Sequence, residues 1–320
     1  MNKLLNCVAA LTLLATSAAF AAESNVTMKI MVPANPGGGW DQTGRALGQA
    51  MQSAGIAKNI RIDNRGGAGG TIGITQFVNT SKGDPHALMV GGLVMVGAIE
   101  LAKSPVTLKQ VTPIARLTAE YEAIVVPANS KFKTLKDLTD AFKANPGSVA
   151  WGGGSAGGVD HILVGLMAKA LKADASKINY IPYAGGGEAL AAILGGHVAA
   201  GVSGYGEFQA QIKEGKLRAL AVSSPKRISV APNVPTFKEQ GMDIELFNWR
   251  GVFGAPGITA AQRDALTRQV VETVKSQSWQ ETLKRNDWTD VLMTGDAFTK
   301  YIEAEVTRVG GVLKDVGLAK

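Results

Sequence analysis

The sequence predicts an α/β fold whose sheet is mostly parallel and flanked by helices, and three observations carry that prediction. Short apolar runs are followed repeatedly by glycine clusters and then by helix-like stretches. Such repetition sets consecutive strands side by side with helices on the sheet faces. Glycine makes up 39 of 320 residues, against a usual share of about 7%, and it gathers in these turns. The length suffices for two domains, each with its own core.

The first residues stand outside the pattern. Met1-Asn2-Lys3 is a short basic start, Leu4 to Leu14 is apolar, and Ala18-Ala19-Phe20-Ala21-Ala22 offers small residues for cleavage. Residues 1–22 therefore read as a secretory signal peptide, and the mature chain is expected to be exported. Cys7, the one cysteine, lies within that segment and precedes most of its apolar run. The mature chain thus lacks a thiol nucleophile, a disulfide and a cysteine-bound metal. A formal charge of +7 is spread along the chain without a dense basic block. That distribution argues against nucleic acid and suits small anions.

The elements follow in order. A strand at Lys29–Val32 leads through Pro33, Pro36 and Gly37-Gly38-Gly39 into a helix over Asp41–Ser53. A second strand, Asn59–Asp63, meets Gly66-Gly67-Ala68-Gly69-Gly70 and the helix Thr71–Thr80. A third, Leu88–Val90, meets Gly91-Gly92 and the helix Leu93–Leu101. Glu122–Val126 is a strand ending at Pro127. A charged helix over Lys131–Ala144 follows, with the capping pair Thr134 and Asp137.

The second half repeats the device. Strand Val149–Trp151 opens onto Gly152-Gly153-Gly154-Ser155-Ala156-Gly157-Gly158 and a helix over Asp160–Leu171. Strand Asn179–Tyr183 opens onto Gly185-Gly186-Gly187-Glu188 and a helix over Ala189–Leu194. Strands at His197–Val202, Leu217–Val222 and Phe247–Phe253 come next. Helical stretches at Ala260–Ser276, Ser278–Arg285 and Asp296–Val316 complete the chain, with a short strand near Val291.

A glycine turn between strand and helix removes the side chains that would hold a ligand away from the backbone. Its N–H groups, with the unpaired donors and positive end of the helix, favour a carboxylate or phosphate. Competing motifs fare less well. Gly152, Gly154 and Gly157 fit G-x-G-x-x-G, with Asp174 downstream, but runs of glycine fit that spacing by chance. The fingerprint should also open a dinucleotide unit, and this one follows a complete αβ region.

Gly153, Ser155 and Gly157 fit the nucleophile elbow G-x-S-x-G. An exported serine hydrolase using Ser155 is the alternative this leaves. Yet His86, His161 and His197 are not placed late in the chain, where that fold needs its histidine. The histidines are also too dispersed for a metal site, and no Walker A sequence occurs. No cofactor, metal or catalytic residue is expected.

The order of motifs carries a resemblance. Pro33-Ala34-Asn35-Pro36-Gly37-Gly38-Gly39-Trp40-Asp41 with Arg45 comes first, then Arg65-Gly66-Gly67-Ala68-Gly69-Gly70-Thr71-Ile72-Gly73. Gly153-Gly154-Ser155 with Asp160-His161 follows, then Pro182-Tyr183-Ala184-Gly185-Gly186-Gly187-Glu188. Ala231 to Gly241, Trp249-Arg250-Gly251 and Ala255-Pro256 close the series. Over essentially the whole mature chain this resembles the substrate-binding subunit of tripartite tricarboxylate transporters, the TctC/Bug type.

The resemblance implies a periplasmic, two-domain binding protein of the Venus-flytrap kind (type II-like), monomeric and without enzymatic activity. Domain 1 would join residues 24–125 to 249–320, and domain 2 would be 126–248. It implies a small carboxylate ligand, a di- or tricarboxylate, and a membrane permease of one large and one small subunit as partner. A receptor for a membrane sensor kinase would share the same features.

The ligand residues it implies are Gly37, Gly38, Gly39, Trp40, Asp41, Ala68 and Gly69 on one jaw. On the other they are Gly153, Gly154, Ser155, Gly157, Asp160, Tyr183, Gly186, Gly187 and Glu188. Asp41 stays open between ligand contact and helix capping. Trp40 and Tyr183 stay open between cleft wall and core, and Arg45, Arg65 and Arg250 between a charged partner and packing.

Overall fold

The computed structural model describes residues 27–319, so the expected signal segment lies outside the described residues. One ten-stranded mixed sheet carries the fold. Strand β1 (Thr27–Val32) lies between β2 (Asn59–Asn64) and β3 (Ala87–Gly92), parallel to both. At the far end, β5 (Ala150–Gly153) lies between β6 (Asn179–Pro182) and β7 (Ala200–Gly204), again in parallel. The crossover helices of these units include α1 (Gly39–Ser53), α2 (Thr71–Thr80), α3 (Leu93–Ala102), α4 (Leu135–Ala144), α5 (Val159–Leu171) and α6 (Gly186–Leu194).

The centre departs from the parallel expectation. Strand β4 (Thr112–Pro127) is 16 residues long, and it begins well before the predicted Glu122. Its first part pairs antiparallel with β9 (Phe247–Gly254) and β10 (Thr289–Thr294). From Glu122 onward it pairs antiparallel with β7 and β8 (Leu217–Val222). The pairings thus fall into two groups that share one strand. A second link, just before β9, runs beside it.

Ser223 fixes that place. Its hydroxyl accepts the Glu122 N–H at 2.9 Å and donates to the Leu246 carbonyl at 2.8 Å. Its own N–H donates to the Glu122 carbonyl at 2.8 Å, and its carbonyl accepts the Leu246 N–H at 3.1 Å.

Local rules account for the helices. In α4 the Asp137 N–H donates to the Thr134 hydroxyl and the Asp137 carboxylate accepts the Thr134 N–H, a complete capping box. Its buried residues, Leu135, Leu138, Thr139 and Phe142, recur at the three-to-four spacing of one helix face. Phe142 then meets Trp151 edge to face at 5.3 Å.

One helix was not legible as such: α7 (Tyr205–Lys213), directly after β7. The last three are α8 (Ala260–Lys275), α9 (Gln277–Asn286) and α10 (Gly295–Asp315). Among the described residues no helix is long and apolar enough to cross a membrane.

Ser223→Ala leaves a buried N–H and a buried carbonyl without their partner, which costs about 1–3 kcal/mol of stability. Urea unfolding followed by tryptophan fluorescence should show that loss; an unchanged midpoint would contradict the pinning role.

Candidate functional site

The strand ends and glycine turns of the two groups face each other across a cleft. Gly38 and Gly39 begin α1, and Gly185 and Gly186 begin α6, from opposite sides. A Cβ on Gly38 would lie 2.6 Å from the Gly186 nitrogen. One on Gly185 would lie 3.0 Å from the Asn35 carbonyl, and the Asn35 N–H donates to the Ala184 carbonyl at 3.2 Å. Farther along, a Cβ on Gly97 would overlap the Gly157 carbonyl oxygen. Contact this close is open only to bare backbone.

Eight of the expected residues line the cleft: Gly38, Gly39, Trp40, Gly154, Ser155, Asp160, Tyr183 and Gly186. Pro33, Ala34 and Val94 add an apolar wall, and the free volume is about 70 Å³. Trp40 is 93% buried, with its ring against Gly70. It is therefore both core and cleft wall. Gly37, Gly187 and Glu188 stand at the rim, where the Asn35 amide donates to Glu188 at 2.5 Å. Gly69 backs the cleft beside Ser155, Gly153 lies under Asp160, and Gly157 packs on α3. Ala68 is exposed, outside the cleft lining.

Several turn amides are taken by the chain's own carboxylates. Asp41 accepts the Gly37 N–H at 3.0 Å, the Arg45 guanidinium at 2.9 Å and the Asn64 amide at 2.9 Å. Burial works against its ionised form, but these bonds hold its carboxyl below the usual range. Asp41 and Arg45 thus brace the first turn. Asp160 accepts the Gly154 N–H at 2.5 Å, and Tyr180 donates to the Gly154 carbonyl at 2.6 Å. The Ala184 N–H donates to Glu188 at 3.3 Å. Among the described residues, the N–H groups of Gly38, Ser155 and Gly186 have no partner within the chain.

The cleft floor holds side chains that the sequence reading left out: Ser203, Glu207 and Asn248, with Arg250, which it weighed only as a candidate. Arg250 is 98% buried and reaches Glu120 closely and Glu207 at 3.4 Å. Glu120 also accepts the Trp288 indole N–H at 3.2 Å. Glu122 accepts the Asn248 amide at 2.9 Å, and its second carboxylate oxygen is buried without a hydrogen-bond partner.

Burial, with the nearby Asp160 charge, pushes Glu207 up to about 8, against hydrogen bonds from Gly39 and Ser203. Burial likewise pushes Asp160 up to about 6 and Glu122 well above the usual carboxylate range. Arg65, in contrast, is exposed beside Asp63 at 3.4 Å and takes no part.

His161 bears on the elbow motif. Its ring stacks on Tyr180 at 4.2 Å, and its Nδ1 accepts the Gly157 N–H at 3.2 Å. Burial pushes it down to about 4, so it is neutral at physiological pH. It shapes the Gly154–Gly158 turn, with its Nδ1 occupied there.

A mixed sheet in two pairing groups, with a backbone-lipped cleft where they meet, defines the periplasmic binding-protein class of solute receptor. The sequence places it more finely: the family described as "Tripartite tricarboxylate transporter family receptor" matches residues 45–318, and the chain belongs to that family. It is 30% identical to protein BugT of Bordetella pertussis over 295 residues, covering 91% of this chain and 89% of BugT.

Among solved structures, periplasmic binding protein BugD superposes with a TM-score of 0.84 at 24% identity, over 92% of this chain and 98% of BugD. MatC from Rhodopseudomonas palustris, solved with malate, gives 0.79 at 23%, over 90% and 98%. An R. palustris protein solved with adipate gives 0.83 at 21%, over 92% and 98%. These likenesses establish the fold.

The raised carboxyls give a pH signature. Folding holds more protons on Glu207, Asp160 and Glu122 than the unfolded chain does. Their contribution to stability is full below the ordinary aspartate and glutamate values of 3.8 and 4.5 and is lost as pH rises through about 6 for Asp160 and about 8 for Glu207. Melting temperature should fall over that range in the wild type, and Glu207→Gln should make the fall above pH 6 shallower, with Glu122 keeping its own share. Equal slopes in the two proteins would contradict the assignment.

Proposed function

We propose that this chain is a periplasmic solute receptor that captures a small organic carboxylate in the cleft. It then delivers the ligand to a tripartite tricarboxylate transporter permease built of one large and one small membrane subunit. The observation that carries this reading is the pair of glycine turns meeting from opposite halves of the sheet. The unpaired N–H groups of Gly38, Ser155 and Gly186 and the side chains of Ser155 and Tyr183 supply donors for a carboxylate there.

Family membership supports the receptor role, and the malate and adipate held by related folds support the ligand class. Of the described residues, 27–125 with 249–319 move as one body and 126–248 as the other. They turn about β4 near Glu122 and about the link near Leu246, where Ser223 ties the two crossings. No chemistry is assigned to Ser155, because the histidine nearest it in sequence is engaged with Gly157 and Tyr180.

Calorimetric titration with mono-, di- and tricarboxylates, beside uncharged analogues of equal size, tests the ligand class. Carboxylates should bind and the neutral analogues should not. Ser155→Ala should weaken binding about tenfold or more, the worth of one hydrogen bond to a charged group. Binding confined to neutral solutes would contradict the reading.

A further inference from the structure

The two proposed bodies touch through surfaces of different character. At the cleft lips backbone meets backbone, with Gly38 against Gly186. Peptide groups gain little by leaving water, so this contact gives closure only a weak drive. The apolar contact lies beside the cleft, between α3 and α5. Val94, Gly97 and Leu101 share one face of α3 at three- and four-residue spacing. A Cβ on Gly158 would lie 3.0 Å from Val94, one on Gly157 2.7 Å from Leu101, and one on Gly97 3.7 Å from Ile162 of α5.

Ile162 shares its face of α5 with Gly165 and Lys169, again at three- and four-residue spacing. Both meet a segment from the other body. Helix α10 ends at Asp315, and residues 316–319 pass from it onto α5. A Cβ on Gly165 would stand 2.9 Å from Val316 and 3.6 Å from Leu318. Lys169 pairs with Asp315 at 3.2 Å, and a Cβ on Gly317 would lie 3.6 Å from that of Ala175. Glycine weakens a helix interior, and at Gly165 it has a packing reason: Val316 takes the place of its side chain.

The chain leaves α10 through a defined turn. The Gly317 N–H donates to the Lys314 carbonyl at 2.9 Å and the Leu318 N–H to the Leu313 carbonyl at 2.8 Å, the paired bonds of a Schellman cap. Gly317 has the positive φ, 75°, that this cap requires. The turn brings Leu318 back to Gly165 and leaves Val316 only 2% exposed. Parting α5 from this segment would return Val316, Leu318 and Ile162 to water, so their burial opposes opening. The Lys169–Asp315 pair, more than half exposed on both sides, sets register more than it adds strength.

We infer that residues 315–319 are a latch, seated on α5 when the cleft is closed and released when it opens. None of them lines the cleft. They set how long the closed form lasts without touching what it holds. This rests on the two-body reading and on no property of the ligand.

Small-angle X-ray scattering of the ligand-free protein, locked and unlocked, tests the inference. Cys7 lies in the expected signal segment, so Ala175→Cys with Gly317→Cys gives the mature chain a single cysteine pair. Their Cβ separation suits a disulfide. Oxidation should lower the radius of gyration, and dithiothreitol should restore it. Carbodiimide coupling of Lys169 to Asp315 locks the same contact in the unsubstituted chain, and stands even if the cysteine pair does not fold. It should give the same contraction, absent from an equally treated Asp315→Asn variant. Either cross-link, verified by mass spectrometry, that left the radius unchanged would mean that the segment never leaves α5, and would overturn the latch. No ligand is added, so a cleft that takes no carboxylate would remove the carboxylate reading and leave the latch standing.

Discussion

Everything about this cleft depends on two stretches of bare backbone reaching each other. The β1–α1 turn and the β6–α6 turn come from opposite halves of the sheet and meet at Gly38 and Gly186, where a single Cβ would reach 2.6 Å from a backbone nitrogen. That constraint explains why the glycines cluster as they do. Each strand must end, the chain must turn into a helix, and the turn must face its counterpart without side chains between. The ligand space is then defined by peptide groups, with side chains confined to the walls and floor.

Peptide donors have to be placed before they can be used. Asp41, Asp160 and Glu188 are bonded to amides of the very turns in which a ligand was expected to find them. They fix the loops, and the donors left over include the amides of Gly38, Ser155 and Gly186. Arg250 follows the same logic in reverse. A cation near an anion site suggests a ligand partner, yet this one is committed to Glu120 and Glu207. Charge at the floor thus comes from carboxylates with too few cations.

Much of the fold was legible, because strand, glycine turn and helix are local signals. The helix Thr71–Thr80 matches its expectation, and the capping box at Thr134 sets the start of α4 one residue on. What escaped was non-local. The first half of β4, TPIARLTAE, carries polar residues that look like those of a loop, and they are buried only because β9 and β10 cover both edges. Helix α7 has nine residues, of which only Tyr205 and Phe208 are buried, too few for a clear apolar stripe. Its omission hid Glu207, and nothing local marks a glutamate that meets its partners only once the chain has folded. Asn248 escaped for the same reason. The sequence could flag glycine turns; it could not say which amides would remain free.

The central claim is that a carboxylate sits between these two turns. A crystal structure of the complex with the tightest carboxylate found by calorimetry tests it most directly. The account predicts ligand density bounded by Gly38, Trp40, Ser155, Tyr183 and Gly186, with carboxylate oxygens in hydrogen-bond contact with the free amides of both turns. A ligand lodged elsewhere, or one touching only one turn while the other stays remote, would contradict it.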